Sequence, residues 1–414
     1  MNKKFVKTCV LLLAILSISF SSVFISDAAS ASDLSDFLEI PLMLPGSSEE
    51  RSDLLAIQML FLCSGHTKEK TARIFDAFGY EILDQVHYEK DSSDPAHNCA
   101  FTIGRGTALR KGSIVQDVLL VSVRGTQGGE WYSNFDFCPY RREDSLFAEN
   151  FLFCAEDVFL TLKEYLDPDS SQAVLICGYS RGAACANLLG MLVNEYLGPQ
   201  SVYTYTFATP ATIRQPEGGA VPENPFPECP NIFNHINPCD LIPELPASGW
   251  GFGRIGIDII LPLEDPELAS LVQNYTDTIC SISPSVTSYY EDRHSLTSSG
   301  TDSNGVTSFE MMLLLCDLLT GLSMEDRSEN SLSGDPGTFD FENLLDPVNL
   351  NDFPDQPDSG KLIDSGILSE SSDLYPLAEI WNELSENHYE QGAALLRQHF
   401  PNIYLGLLLK QAGR

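Results

Sequence analysis

The 414-residue sequence predicts an α/β fold, a mainly parallel central sheet flanked by helices, with an acidic and helical extension at its C-terminal end. Three observations predict it. Apolar runs of strand length, such as Ile-Val-Gln-Asp-Val-Leu-Leu-Val-Ser-Val at 114–123 and Ala-Val-Leu-Ile-Cys at 173–177, are nearly continuous, as strands covered on both faces require. These runs alternate with stretches of helical periodicity, the pattern of successive βαβ units. Hydrophobic residues at 43% and charged residues at 20% sit near globular averages, which excludes wholesale disorder.

Along the chain, the first helix is expected from residue 51, where Leu54, Leu55, Gln58, Met59 and Leu62 recur at helical spacing, and a second over 67–78. Strands are expected at 98–103 and 114–123. Between 144 and 166, Leu146, Phe147, Phe151, Ala155, Phe159 and Leu162 share one side of a helix. The strand at 173–177 runs into a helix that begins at Arg181 and is stopped by Gly198-Pro199. Further strands are expected at 201–207, 231–237 and 255–261, with a Pro/Gly/Glu-rich loop at 214–230 and an apolar helix over 311–322. Residues 325–373 carry thirteen acidic against two basic side chains among Pro, Gly and Ser, which reads as a linker. The expected organisation is therefore a signal peptide at 1–31, a globular domain at 32–300, a helix closing its core at 301–324, the acidic segment at 325–373, and a helical segment at 374–414.

The N-terminus sets the expected compartment. Lys3, Lys4 and Lys7 precede an apolar run from Val10 to Ile25, and Ala29-Ser30-Ala31 offers a small-residue cleavage site. An uncleaved anchor is the alternative, but the run is short for a span and diluted by Ser17, Ser19, Ser21 and Ser22. Secretion of a cleaved chain is expected. The formal net charge of −34, from 24 Lys+Arg against 58 Asp+Glu, repels phosphate backbones and excludes nucleic acid as a partner. Ten cysteines follow the cleavage site without C-x-x-C spacing, so no zinc site is expected. The acidic residues around Asp346–Asp355 lack the Gly and Glu of an EF-hand loop, and no metal or organic cofactor is expected.

The chemistry centres on Gly178-Tyr179-Ser180-Arg181-Gly182. A G-x-S-x-G string alone is a weak signal, but here a buried strand enters it and a helix rich in small residues leaves it. That context is a nucleophile elbow, in which the glycines permit a sharp turn and the serine hydroxyl stands at a helix N-terminus. The Arg181 N–H and the helix dipole there can stabilise an oxyanion. A nucleophilic serine needs an acid and a base, which follow it in the order Ser, Asp, His in α/β hydrolases. Asp240 fits the acid, since it follows the 231–237 strand and two prolines, Pro243 and Pro246, constrain its loop. Asp258, Glu264 and Asp265 are its rivals. Three histidines follow Asp240. His294, in Glu291-Asp-Arg-His-Ser-Leu296, is the expected base, while His388 and His399 lie past the acidic segment and read as solvated histidines of an appended helix. His235 reads as a core residue. The turn at Arg124-Gly125-Thr126, after the longest apolar strand, is the expected second donor of the oxyanion hole, through Thr126.

These motifs in order, Val-Arg124-Gly125-Thr126, Glu130-Trp131, Asp136, the Ser180 elbow, Thr206-Phe-Ala-Thr-Pro210 and Asn237-Pro-Cys-Asp240 through Pro246, resemble the class 3 lipases, the fungal-type triacylglycerol lipases, over roughly residues 50–300. The resemblance implies an α/β-hydrolase fold, a triad of Ser180, Asp240 and His294, and an oxyanion hole of Thr126 and Arg181. It also implies a lid at about 127–140, to which Trp131, Tyr132, Phe135 and Phe137 give an apolar, substrate-facing side. Two positions depart from it: Tyr179 stands where His is usual, and Arg181 where Leu is frequent. The expectation is an exported serine hydrolase of lipid acyl esters, contacting a lipid interface transiently through its lid. The alternatives are a phospholipase, a short-chain or aryl esterase, or, in another class, an inactive hydrolase fold used for binding.

Overall fold

A computed structural model of the chain describes residues 40–88, 99–126, 139–142, 145–214, 229–281, 284–285, 306–307 and 397–413. In chain order the main elements are β1 (Met43–Leu44), α1 (Asp53–Cys63), α2 (Lys68–Ala77), β2 (Glu81–Val86), β3 (Phe101–Arg110) and β4 (Ser113–Val123). They continue with β5 (Pro139–Arg142), β6 (Ser145–Ala148), α3 (Glu149–Leu162), β7 (Ala173–Tyr179), α4 (Arg181–Leu197), β8 (Val202–Phe207), β9 (Ile213–Arg214) and β10 (Ile232–Ile236). The last are β11 (Phe252–Gly253), β12 (Ile257–Ile260), α5 (Pro266–Ser281) and α6 (Pro401–Gln411).

Eight strands form the central sheet in the order β1-β3-β4-β7-β8-β10-β12, with β2 on β3. The five strands from β4 to β12 run parallel, and β3 joins β4 antiparallel. Strand β7 is buried at every position because it is covered on both faces. Its alternate side chains serve two cores. Val174 and Ile176 point with Leu119 and Val121 toward α3 and α4, while Leu175, Cys177 and Tyr179 point with Leu120 toward α1 and α6. This period of two is what makes a continuous apolar run a strand rather than a helix in this setting.

The helices begin where their caps say they should. Ser52 accepts from the Leu55 N–H and Thr67 from the Lys70 N–H, each satisfying a donor that the first helical turn leaves open. Helix α1 is buried along almost its whole circumference, held between the sheet and α6. Besides the short strands β1, β5, β9 and β11, two elements went unread in the sequence: β2, whose residues Glu81-Ile-Leu-Asp-Gln-Val are mostly half-exposed and mixed in character, and α5, whose polar face dilutes its periodicity. Leu146 and Phe147, expected in the helix over 144–166, lie instead in strand β6, and the helix begins at Glu149. The helix expected over 311–322, the closing segment 301–324 and the acidic segment 325–373 lie outside the described residues, apart from the short strand Val306–Thr307.

The C-terminal helix differs from its expected character. Residues 401–411 do not stand apart as an appendage; Tyr404, Leu405, Leu407, Leu408 and Leu409 of α6 are buried in the core on the α1 face. The reason is legible in the apolar run Tyr404-Leu-Gly-Leu-Leu-Leu, which has no other way to leave water.

His235 is the core residue expected of it. Its ring stacks between Tyr205 (5.7 Å, 14°) and Phe207 (5.0 Å, 23°), and its Nδ1 donates to the Thr206 carbonyl at 3.3 Å. Burial lowers its pKa from 6.5 to about 3. Between those two pH values the unfolded chain binds the proton and the folded chain does not, so stability falls as pH drops through that window. The slope from this one group is ~1.4 kcal/mol per pH unit. Denaturant unfolding of His235→Gln at pH 6, 5 and 4 should show a pH dependence shallower than wild type by that amount; an identical slope would mean that the imidazole is charged in the folded core.

Candidate active site

The geometry at the end of β7 follows from two glycines and one strained residue. Ser180 has φ 54° and ψ −123°, a left-handed conformation costly for a side-chain-bearing residue and held here by its surroundings. Its N–H donates to the Phe207 carbonyl at 3.0 Å, and its carbonyl accepts from the Ala183 N–H at 2.9 Å. A Cβ on Gly178 would lie 2.1 Å from the Gly182 carbonyl oxygen, and one on Gly182 would lie 2.3 Å from the Val123 oxygen. The two glycines thus let α4 start directly against the ends of β7 and β4. The turn after β4 arrives at the same place. A Cβ on Gly125 would stand 3.2 Å from the Tyr179 oxygen and 3.9 Å from the Ser180 Cβ, so the loop leading into half-buried Thr126 runs alongside the serine.

The principal difference from expectation concerns the histidine. The histidine that reaches Ser180 is His399, whose Nε2 lies 2.9 Å from the serine Oγ across 219 residues of sequence. Its Nδ1 lies 2.8 Å from Asp240 Oδ2. His294, expected in this role, lies outside the described residues, and the hydrogen-bonding positions on Ser180 and Asp240 that it would need are taken by His399. His399 is not a solvated residue: it is buried, in the turn that leads into α6, because the apolar helix beginning at Pro401 carries it into the core. The apolar run after His399 was the available signal; a histidine two residues before a helix that must be buried cannot remain in water. His388 lies outside the described residues.

Asp240 stands where the expected acid would be needed, against the His399 imidazole. It is buried, its Oδ1 accepts from the Ile242 N–H at 3.0 Å, and its Oδ2 accepts from His399 and from the Tyr404 hydroxyl, the latter at 2.8 Å. The rival acids are engaged elsewhere. Asp258 forms an ion pair with Arg254 at 2.7 Å, Glu264 pairs with Lys410 on the surface at 2.9 Å, and Asp265 caps α5 through the Glu267 and Leu268 N–H groups. Asp240 and His399 are buried and Ser180 is half-buried.

Arg181 sends its guanidinium away from the serine. The side chain is buried, with Nη2 3.3 Å from Cys154 Sγ and its charge over the Phe151 ring at 5.9 Å. Its contribution at the elbow is therefore its backbone N–H at the start of α4. The lid residues Trp131, Tyr132, Phe135 and Phe137 lie outside the described residues. Among the described cysteines, Cys63, Cys99, Cys154, Cys177, Cys185, Cys229, Cys239 and Cys280, no disulfide is formed. Among the described residues no cluster of three His, Cys, Asp or Glu side chains could hold a metal ion, and no helix is long and apolar enough to cross a membrane.

A parallel sheet that opens through a left-handed serine into a helix, with an imidazole and a carboxylate hydrogen-bonded in line behind it, has the architecture of an α/β-hydrolase fold. Residues 120–250 match the family model described as Lipase (class 3), a stretch that holds the end of β4, the elbow and Asp240. Similar solved structures include a Rhizomucor miehei lipase propeptide complex, in a deletion mutant, at 15% identity and TM-score 0.36, covering 56% of this chain and 68% of that one. A lipase from Rhizopus microsporus var. chinensis is similar at 15% identity and TM-score 0.37, with 58% and 77% of the two chains covered. A comparison with curated protein sequences gave no match.

Proposed function

We propose that this protein is an exported serine hydrolase that cleaves acyl esters of lipids through Ser180, His399 and Asp240. The observation that carries the reading is the unbroken hydrogen-bond line from Asp240 Oδ2 through the His399 imidazole to Ser180 Oγ. With the carboxylate accepting from Nδ1–H, the imidazole presents Nε2 as the acceptor that the serine proton needs. Ser180 Oγ attacks the ester carbonyl while His399 takes its proton. The tetrahedral oxyanion is met by the N–H groups of Arg181 and Thr126, and His399 returns the proton to the departing alcohol. Water, deprotonated by the same imidazole, then releases the acid from the acyl-enzyme.

Lipid esters are the substrate class because the class 3 lipase match covers the nucleophile, the acid and the oxyanion turn together. Trp131, Tyr132, Phe135 and Phe137 supply an apolar lid in this reading, and a chain of net charge −34 would meet a lipid surface through them rather than by electrostatic attraction. Export rests on the basic, apolar and small-residue order of residues 1–31.

A fluorophosphonate probe should label folded wild-type protein and leave Ser180→Ala unlabelled. Hydrolysis of nitrophenyl esters should rise from acetyl to longer acyl chains and vanish in Ser180→Ala. Activity confined to the shortest esters would assign an esterase instead, release of fatty acid from phospholipid but not from triacylglycerol a phospholipase, and folded wild type that takes no label would end the enzyme reading.

A further inference from the structure

The histidine arrives on a C-terminal segment, and two buried phenols, one from β7 and one on the segment itself, tie that segment to the site. Tyr179, the last residue of β7 and the one before the nucleophile, donates its hydroxyl to the backbone carbonyl of His399. Its ring lies 5.6 Å from the His399 ring and meets Tyr404 edge-on at 5.7 Å. Tyr404, on α6, donates to Asp240 Oδ2 at 2.8 Å and accepts from the Asn237 N–H at 3.3 Å. The Asn237 side chain in turn donates to the Gln398 carbonyl at 3.0 Å. The strand that carries the serine therefore holds the backbone of the base, and the helix behind the base holds the acid.

We propose that Tyr179 and Tyr404 are positioning residues that seat the C-terminal segment so that one imidazole spans Ser180 and Asp240. The proposal rests on the reading of Ser180 as nucleophile. It accounts for the departure at Tyr179: a phenol reaches the carbonyl of a residue 220 positions away, which holds a base delivered from outside the contiguous domain. Both phenols are buried, and burial together with the Asp240 charge pushes each pKa far up, so both remain protonated donors wherever the protein is folded. Without the Tyr404 donor, Asp240 Oδ2 has only the imidazole to fix it; without the Tyr179 donor, the His399 turn loses its tie to the elbow.

The test compares Tyr179→Phe and Tyr404→Phe with Tyr80→Phe, a buried phenol that donates to the Thr107 carbonyl at 3.2 Å away from the site. Each of the first two should lower kcat ~10- to 100-fold while KM stays within about twofold, because displacement of a reacting group by about an ångström is enough for that loss. Tyr80→Phe should keep wild-type kcat. Proton NMR of the Nδ1–H shared by His399 and Asp240 provides a readout that needs no substrate: Tyr404→Phe should displace that signal and Tyr80→Phe should not. Fluorotyrosine at position 404 keeps the packing, changes the phenol's acidity and should move the same signal even if Tyr404→Phe fails to fold. Wild-type kcat in both phenylalanine variants, or an Nδ1–H signal unmoved by either change at 404, overturns the proposal. An inactive, unlabelled wild type would sink the hydrolase reading instead, and the NMR signal would still decide the role of the phenols.

Discussion

His399→Ala should lose turnover by about 10⁴-fold or more in kcat, while His294→Ala keeps a wild-type-like rate. The loss is large because the imidazole is the only base within reach of the Ser180 proton among the described residues, and the serine is a poor nucleophile without it. Initial rates on a nitrophenyl ester, with near-UV circular dichroism to show that the fold survives, decide the matter. The reverse outcome, a silent His294→Ala and an active His399→Ala, would mean that the C-terminal segment is displaced from this site in the working enzyme. The two variants therefore separate the assignment made from chain order alone from the one made by geometry.

A chain ending at residue 396 should fail to fold, not merely fail to turn over. Truncation there removes Phe400, Tyr404, Leu405, Leu407, Leu408 and Leu409, all buried. At ~1.5–3 kcal/mol for each buried large apolar side chain, their combined burial is on the order of 10 kcal/mol, comparable to the whole stability of a typical domain. It would also strip the cover from α1, which has almost no polar face to turn to solvent. Thermal melts and the soluble fraction on expression measure this, with Leu408→Ala as the milder probe at ~2–5 kcal/mol. A truncated chain that melts within a few degrees of wild type would show that α6 is accessory to the core.

Much of the fold was legible before any coordinates. The run at 114–123 and the run at 173–177 became β4 and β7, with boundaries at Ser113–Val123 and Ala173–Tyr179, because a strand buried on both faces has no polar position to confuse its reading. The elbow was legible for a related reason: a glycine on each side of Ser180 has a steric cause that any such turn shares, and the contacts at Gly178 and Gly182 are that cause. Asp240 could be chosen over Asp258 from its place after a strand, and the Arg254 ion pair shows what Asp258 does instead. Strand β2 and helix α5 were missed where half-exposed residues blurred the period.

The sequence by itself singled out Ser180, Asp240 and the sheet that carries them, since each depends on residues within a few positions of one another and on a local turn that only certain side chains allow. The histidine that meets them did not depend on neighbours in the chain. His399 meets Asp240 across 159 residues and Ser180 across 219, and nothing in its immediate sequence is catalytic in kind. Chain order permitted three histidines, and a solvated helix was a sound reading of two of them one at a time. Only the folded molecule could select among them, because the selection is made by hydrophobic burial of α6 far from the chemistry: the helix must pack on α1, and in packing it sets the imidazole between the serine and the aspartate.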